Sequence, residues 1–189
     1  MRIGIDFDDT IADTGKKIRE YIDNRAKSNE EKQLISDNLR NIMMGDLSTV
    51  DKSTAAEFIN DAIAMIELKA DVKNVIDRLK KAGHEIYLVT ARSNEIFNGI
   101  EQVTLTHLAN NGIEIDNAIF GTKTNKLDEC VNNKIDLLVD DSVDIIEYLN
   151  KNGVDGLLFT SEVNKNIDTD VKRVDSWLEV EKYIEELSK

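Results

Sequence analysis

Proline is absent from this 189-residue chain, cysteine occurs once, histidine twice and glycine nine times. Each shortage excludes something. Without Pro, turns fall to Gly and to the abundant Asn and Asp. The single thiol, Cys130, can close no intramolecular disulfide and build no Cys-cluster zinc site. His84 and His107 are too few for a His-rich metal site. No apolar run approaches the ~20 residues that a bilayer span needs. Met1-Arg2-Ile3-Gly4-Ile5 runs straight into Asp6, without a basic region followed by an apolar stretch. A soluble, cytoplasmic protein is expected. Cations are also scarce: 24 Lys+Arg stand against 37 Asp+Glu, a net charge of −13. Nucleic-acid binding depends on cations displacing counterions from phosphates, so nucleic acid and anionic membrane are both excluded as partners.

Hydrophobic residues make up 41% of the chain and charged residues 32%, which suits a globular protein. The length allows one well-filled domain or a domain with an insertion. Five short apolar runs have the β-branched content of buried strands: Ile3–Ile5, Ile86–Val89, Ala118–Phe120, Ile135–Val139 and Val154–Phe159. Helical spacing lies between them, in Val72, Val75, Ile76 and Leu79, in Ile145, Ile146 and Leu149, and in Val180, Ile184 and Leu187. Alternating strands and helices predict an α/β fold, a Rossmann-like parallel sheet with helices on both faces.

One interval breaks the alternation. From Thr14 to Ala70 only helical patterns occur, on Ile18, Tyr21 and Ile22, on Leu34, Ile35 and Leu39, and on Phe58, Ile59, Ala62, Ile63 and Ile66. A crossover needs only about a dozen residues. The spacing therefore predicts a core of residues 1–13 and 71–189, with an inserted helical cap over 14–70.

In open α/β sheets, ligands bind outside the carboxyl ends of the strands. After the first run come Asp6-Phe7-Asp8-Asp9-Thr10, and after the second Thr90-Ala91-Arg92. After the third come Gly121-Thr122-Lys123 and then Lys126, and after the fourth Asp140-Asp141-Ser142. Each group has an ordinary explanation alone. Asp8 to Thr10 suits a helix N-cap, Thr90 a strand end, Asp140-Asp141 another cap and a lone Lys a solvated charge. Those explanations do not account for all four meeting on one rim.

Together the residues make chemical sense. Clustered carboxylates need a cation, and hard oxygen ligands suit Mg²⁺. A carboxylate can attack phosphorus and form an aspartyl-phosphate. Attack on a nearly dianionic phosphomonoester needs Mg²⁺ and a lysine. A second acid must protonate the leaving oxygen and then activate water. Thr10 and Arg92 are candidate substrate-binding residues, although Arg92 is equally suited to pairing with nearby carboxylates.

This order of motifs resembles the four-motif signature of haloacid dehalogenase-like (HAD) phosphohydrolases, and the insertion sits where that superfamily places a cap. Asp6-Phe7-Asp8-Asp9-Thr10-Ile11-Ala12-Asp13 and Ile135-Asp136-Leu137-Leu138-Val139-Asp140-Asp141-Ser142 are similar to the cytosolic type-C 5′-deoxynucleotidase-like group. The resemblance implies Asp6 as nucleophile and metal ligand, and Asp8 as general acid/base with its backbone carbonyl on the metal. It implies Thr90 and Lys126 as phosphoryl-binding catalytic residues, and Asp140 as a metal ligand with Asp141 beside it. Lys123 competes with Lys126 for the lysine role.

The implied activity is Mg²⁺-dependent hydrolysis of a small phosphorylated metabolite, such as a 5′-(deoxy)nucleotide. A sugar-phosphate phosphatase or phosphomutase is the alternative within the superfamily. Aromatic cap residues that could stack on a base are limited to Tyr21 and Phe58. A response-regulator receiver has similar residue types, but its acceptor Asp precedes the Thr and Lys. A non-catalytic phosphate-binding protein would not need every one of these side chains.

Overall fold

The computed structural model describes residues 1–43, 57, 66–95, 98–121 and 125–188. The helix expected around Phe58, Ile59, Ala62 and Ile63, and Lys123, lie outside the described residues. The chain runs β1 (Arg2–Ile5), α1 (Thr14–Arg25), α2 (Asn29–Met43), α3 (Val72–Lys81), β2 (Glu85–Thr90), α4 (Ile100–Asn110), β3 (Asn117–Phe120), α5 (Lys126–Asn132), β4 (Leu137–Asp140), α6 (Val143–Lys151), β5 (Asp155–Phe159), β6 (Arg173–Val174) and α7 (Trp177–Leu187). All strand pairs are parallel, in the order β3-β2-β1-β4-β5-β6. The expected α/β class with a Rossmann-like parallel sheet is observed.

Period-two alternation sends the strand side chains to two cores. Ile3, Ile5, Ile86, Leu88, Leu137, Val139, Leu157 and Phe159 pack into the larger cluster with α3 and α7. Val89, Leu138 and Ile119 face the other way, toward Cys130 of α5 and Ile145 and Leu149 of α6. Gly4 lies on this second face, where a Cβ would come within 2.9 Å of Leu138 Cδ1 and 3.1 Å of Ile135 Cγ2. The missing side chain lets these layers close on the central strand.

Residues 11–13, before the expected insertion, pair with residues 67–69 near its end. Ala12 and Leu68 form an antiparallel bridge. The Asp13 N–H donates to the Glu67 carbonyl at 2.9 Å, and the Lys69 N–H to the Ile11 carbonyl at 2.8 Å. Tyr21, Leu39 and Ile66 join the larger core cluster.

One expectation needs correction. The strand expected from Ile135 begins at Leu137, because Lys134 reverses the chain with φ 55° and leaves Ile135 tied to α5 by its bond to the Cys130 carbonyl. Val131 on α5 is exposed. The buried stripe runs through Lys126 and Cys130, and Val131 is rotated about 100° from Cys130. His107 is buried edge-on to Phe7 with ring centroids 5.8 Å apart.

Trp177 is fully buried, and its Nε1–H donates to the Thr10 carbonyl at 3.0 Å. Trp177→Phe leaves that buried carbonyl without its donor and removes packing volume. It should cost about 2 kcal/mol in urea denaturation. A loss below about 0.5 kcal/mol would show that the tie contributes nothing beyond ordinary surface substitutions.

Candidate active site

Sheet order alone picks the location. The chain winds outward through β2 and β3 on one side of β1, then through β4, β5 and β6 on the other. The switch point of this pattern, where a crevice opens at the carboxyl ends, lies between β1 and β4. Asp6 follows β1 and Asp140 ends β4, and the Asp6 N–H donates to the Val139 carbonyl at 2.9 Å.

Lys126 is the first residue of α5, and its helical stripe turns it inward. Its Nζ lies 2.9 Å from Asp6 Oδ1 and 2.5 Å from Asp140 Oδ2. The other Asp140 oxygen accepts the Ser142 N–H at 2.8 Å. Asp6, Asp140 and Asp141 bring carboxylate oxygens within 4.8 Å of one another, a set able to hold a metal ion. One lysine charge is shared between Asp6 and Asp140, both buried, and the half-buried Asp141 lies beside them.

The electrostatics follow. Burial, then the neighbouring Asp140 and Asp8 charges, push the Asp6 carboxyl up from 3.8 to about 7, although Lys126 opposes them. Burial, with Asp140, Asp6 and Asp9, pushes Asp141 up to about 8. Burial would discharge Lys126, but Asp140 and Asp6 outweigh it and keep the ammonium. A divalent cation on hard oxygen donors fits the negative charge left over.

Asp8 is set apart from this cluster. Phe7 is buried and its carbonyl accepts the N–H groups of both Ile11 and Ala12, at 3.0 Å each, so the chain turns sharply after Asp6. Asp9 completes the turn at φ 52°, and its Oδ1 accepts the Gly15 N–H at 2.9 Å. A Cβ at position 15 would lie 2.9 Å from Asp9 Oδ2. Asp8 consequently faces Arg92, which donates from Nε to Oδ2 at 2.9 Å and from Nη2 to Oδ1 at 2.6 Å. Thr14 Oγ1 donates to the same Oδ1 at 2.6 Å. Burial would raise the Asp8 carboxyl, but Arg92, with Thr14 and Lys126, outweighs it and holds the group below its usual range.

Thr90 is buried at the end of β2, its Oγ1 3.4 Å from the Arg92 backbone N–H. Arg92 is buried, stacked 4.1 Å from the Phe7 ring centroid, and committed to Asp8. Thr10 is fully buried; its hydroxyl makes no hydrogen bond, so none joins it to the acidic cluster. Tyr21 is buried beneath the Arg25 guanidinium, 3.7 Å from the ring centroid. Sequence reasoning missed the Asp8 clamp, because Thr14 carries no motif and Arg92 lies 84 residues from Asp8.

The parallel sheet with this switch-point chemistry defines a HAD-superfamily hydrolase. Residues 1–188 match the family described as 5′ nucleotidase, deoxy (pyrimidine), cytosolic type C protein, and the chain belongs to that family. Membership places it among the phosphatases. No protein of curated function matches the sequence. Solved structures agree in fold. A dehalogenase is 13% identical, with a TM-score of 0.65 and 96% of each chain covered. CbbY from Rhodobacter sphaeroides, in complex with phosphate, is 14% identical, with a TM-score of 0.61 and 95% of each chain covered. A HAD-superfamily hydrolase from Ehrlichia chaffeensis is 13% identical, with a TM-score of 0.53, covering 100% of this chain and 97% of its own.

The raised carboxyls give a linkage prediction. A folded-state value above the unfolded one means that the folded chain holds protons that the unfolded chain has released. The resulting penalty is absent below about pH 4 and complete only above about pH 8. A cation needs ionised ligands and relieves that penalty. Mg²⁺ should therefore raise Tm more at about pH 8.5 than at about pH 6, measured against EDTA controls. Equal shifts at both pH values would contradict the assignment.

Proposed function

We propose that this protein is a Mg²⁺-dependent phosphomonoester hydrolase acting through an aspartyl-phosphate on Asp6. The observation that carries the reading is Lys126 Nζ seated between Asp6 and Asp140, with Asp141 in the same cluster. Asp6, Asp140 and Asp141 would hold Mg²⁺ with the Asp8 backbone carbonyl. Bound there, the ion supplies neutralising charge for the phosphoryl oxygens.

The remaining steps belong to the chain's own residues. An Asp6 carboxylate oxygen attacks phosphorus, and the bond from phosphorus to the leaving oxygen breaks. Asp8 takes up the proton that a monoanionic phosphomonoester carries in and passes it to that oxygen, so it leaves the first step ionised. Lys126 and the Thr90 hydroxyl bind the phosphoryl oxygens. In the second step Asp8 takes a proton from water, the water oxygen bonds to phosphorus, and the bond to Asp6 breaks, releasing phosphate. Arg92 and Thr14 hold Asp8 ionised, the form this second step requires.

The substrate class follows from the family and the insertion. A 5′-(deoxy)nucleotide or a similarly small phosphomonoester suits a lid over 14–70 that excludes water and large substrates. Tyr21 is covered by Arg25, so base stacking on that ring has no free face on the Arg25 side. Membership of a family described as cytosolic supports a cytoplasmic location. Among the described residues, no helix is long and apolar enough to cross a membrane.

A turnover screen of deoxynucleoside monophosphates and sugar phosphates, with and without Mg²⁺, tests the activity. EDTA-resistant turnover would overturn the metal dependence. Asp6→Asn should abolish turnover while the protein stays folded. Asp8→Asn with p-nitrophenyl phosphate should give a nitrophenol burst and a trapped protein about 80 Da heavier, because a good leaving group needs little protonation and hydrolysis of the aspartyl-phosphate still needs a base. Phosphate mapped to any residue other than Asp6 sinks the nucleophile assignment, and normal turnover by Asp8→Asn sinks the acid/base role.

A further inference from the structure

We infer that Asn164, in the loop after β5, is a positioning residue for the acidic site. Its amide locks the turn that carries Asp140 and Asp141 onto the end of β5. The inference rests on the metal-centre reading above.

Asn164 is 2% exposed. Its Nδ2 donates to the Asp141 carbonyl at 2.7 Å and to the Phe159 carbonyl at 2.8 Å. Its Oδ1 accepts the Ser161 N–H at 3.1 Å and Arg173 Nη1 at 2.8 Å. A primary amide offers two donor hydrogens and two acceptor sites, and here all four are used.

These bonds begin where the sheet stops. The β4–β5 ladder ends at the pair Asp140–Leu158. Among the described residues, no backbone–backbone hydrogen bond joins 141–142 to the loop beyond Phe159. Asn164 supplies the missing tie. Arg173 on β6 braces it from behind, reaching also the Asn164 carbonyl at 3.3 Å and the Ile167 carbonyl at 3.0 Å. The acidic turn is thus braced across β4, β5 and β6. What Asn164 holds is the Asp141 peptide, not its carboxylate. Rotation of that peptide swings Asp141 directly and loosens the Ser142 N–H contact to Asp140. Outer-shell groups of this kind typically change metal affinity by about 10–100-fold.

A role in loop stability alone is the competing explanation, so the experiment reads cation binding rather than turnover. Mg²⁺ is titrated calorimetrically into the wild type, Asn164→Leu, Arg173→Met and Leu79→Ala. Asn164→Leu keeps the volume and loses the donors. Arg173→Met removes only the brace. Leu79→Ala destabilises the core from α3, on the opposite face from α5 and α6. The expected result is a Kd raised about 10–100-fold in Asn164→Leu, a smaller rise in Arg173→Met, and a wild-type value in Leu79→Ala. An unchanged Kd in Asn164→Leu, or an equal rise in Leu79→Ala, overturns the inference. If Asn164→Leu does not fold, Arg173→Met decides, and its unchanged Kd is equally fatal. A wild type that binds no Mg²⁺ overturns the metal centre itself and this inference with it.

Discussion

The structure turns on one electrostatic constraint: two buried carboxylates, Asp6 and Asp140, share a single lysine at the seam between β1 and β4, with a third, half-buried carboxylate, Asp141, beside them. Isolated buried charge is costly, and a partner of opposite sign offsets the cost only when hydrogen bonds satisfy what remains. Lys126 satisfies one oxygen each of Asp6 and Asp140, and the Ser142 N–H takes the other Asp140 oxygen. Asp141 is left with its carboxyl pushed up by burial and its acidic neighbours. The leftover negative charge is what a divalent cation and a phosphoryl group together would use. A fully neutralised site would have nothing to attract them.

The rest of the fold keeps that arrangement rigid. Parallel strands with both faces buried fix β1 and β4 side by side, and Gly4 lets the second core close on the central strand. Trp177 ties the Thr10 carbonyl to α7, so the turn carrying Asp8 is anchored from below. Asn164 and Arg173 brace the opposite wall. The site is held by long-range contacts on both sides of the seam, which is what preorganised electrostatics require.

The sheet was legible because buried parallel strands are short apolar runs, and β1, β2, β3 and β5 fall on them within a residue or two. Helix α4 was not legible, because two of its four buried residues, Thr104 and His107, are polar and hide the apolar stripe. Strand β6 has two residues, too few for any period. The acidic rim was readable because each member follows an apolar run. Arg92 on Asp8 and Asn164 on Asp141 were not readable, since each contact joins elements that only the completed fold brings together.

The least legible feature bears most directly on the proposed chemistry. Asp6 and Asp8 are two residues apart and identical in type, yet their environments push them in opposite directions. Burial with Asp140 and Asp8 nearby raises Asp6, whereas Arg92 lowers Asp8 against its own burial. The raised Asp6 value belongs to the cation-free cluster, and a cation held there would favour the ionised form that attacks, while the lowered Asp8 value suits the base of the second step. The sharp turn at Phe7 creates the difference, because it sends one carboxylate into the acidic seam and the other to a guanidinium. The division of labour proposed for the two aspartates thus begins in backbone geometry.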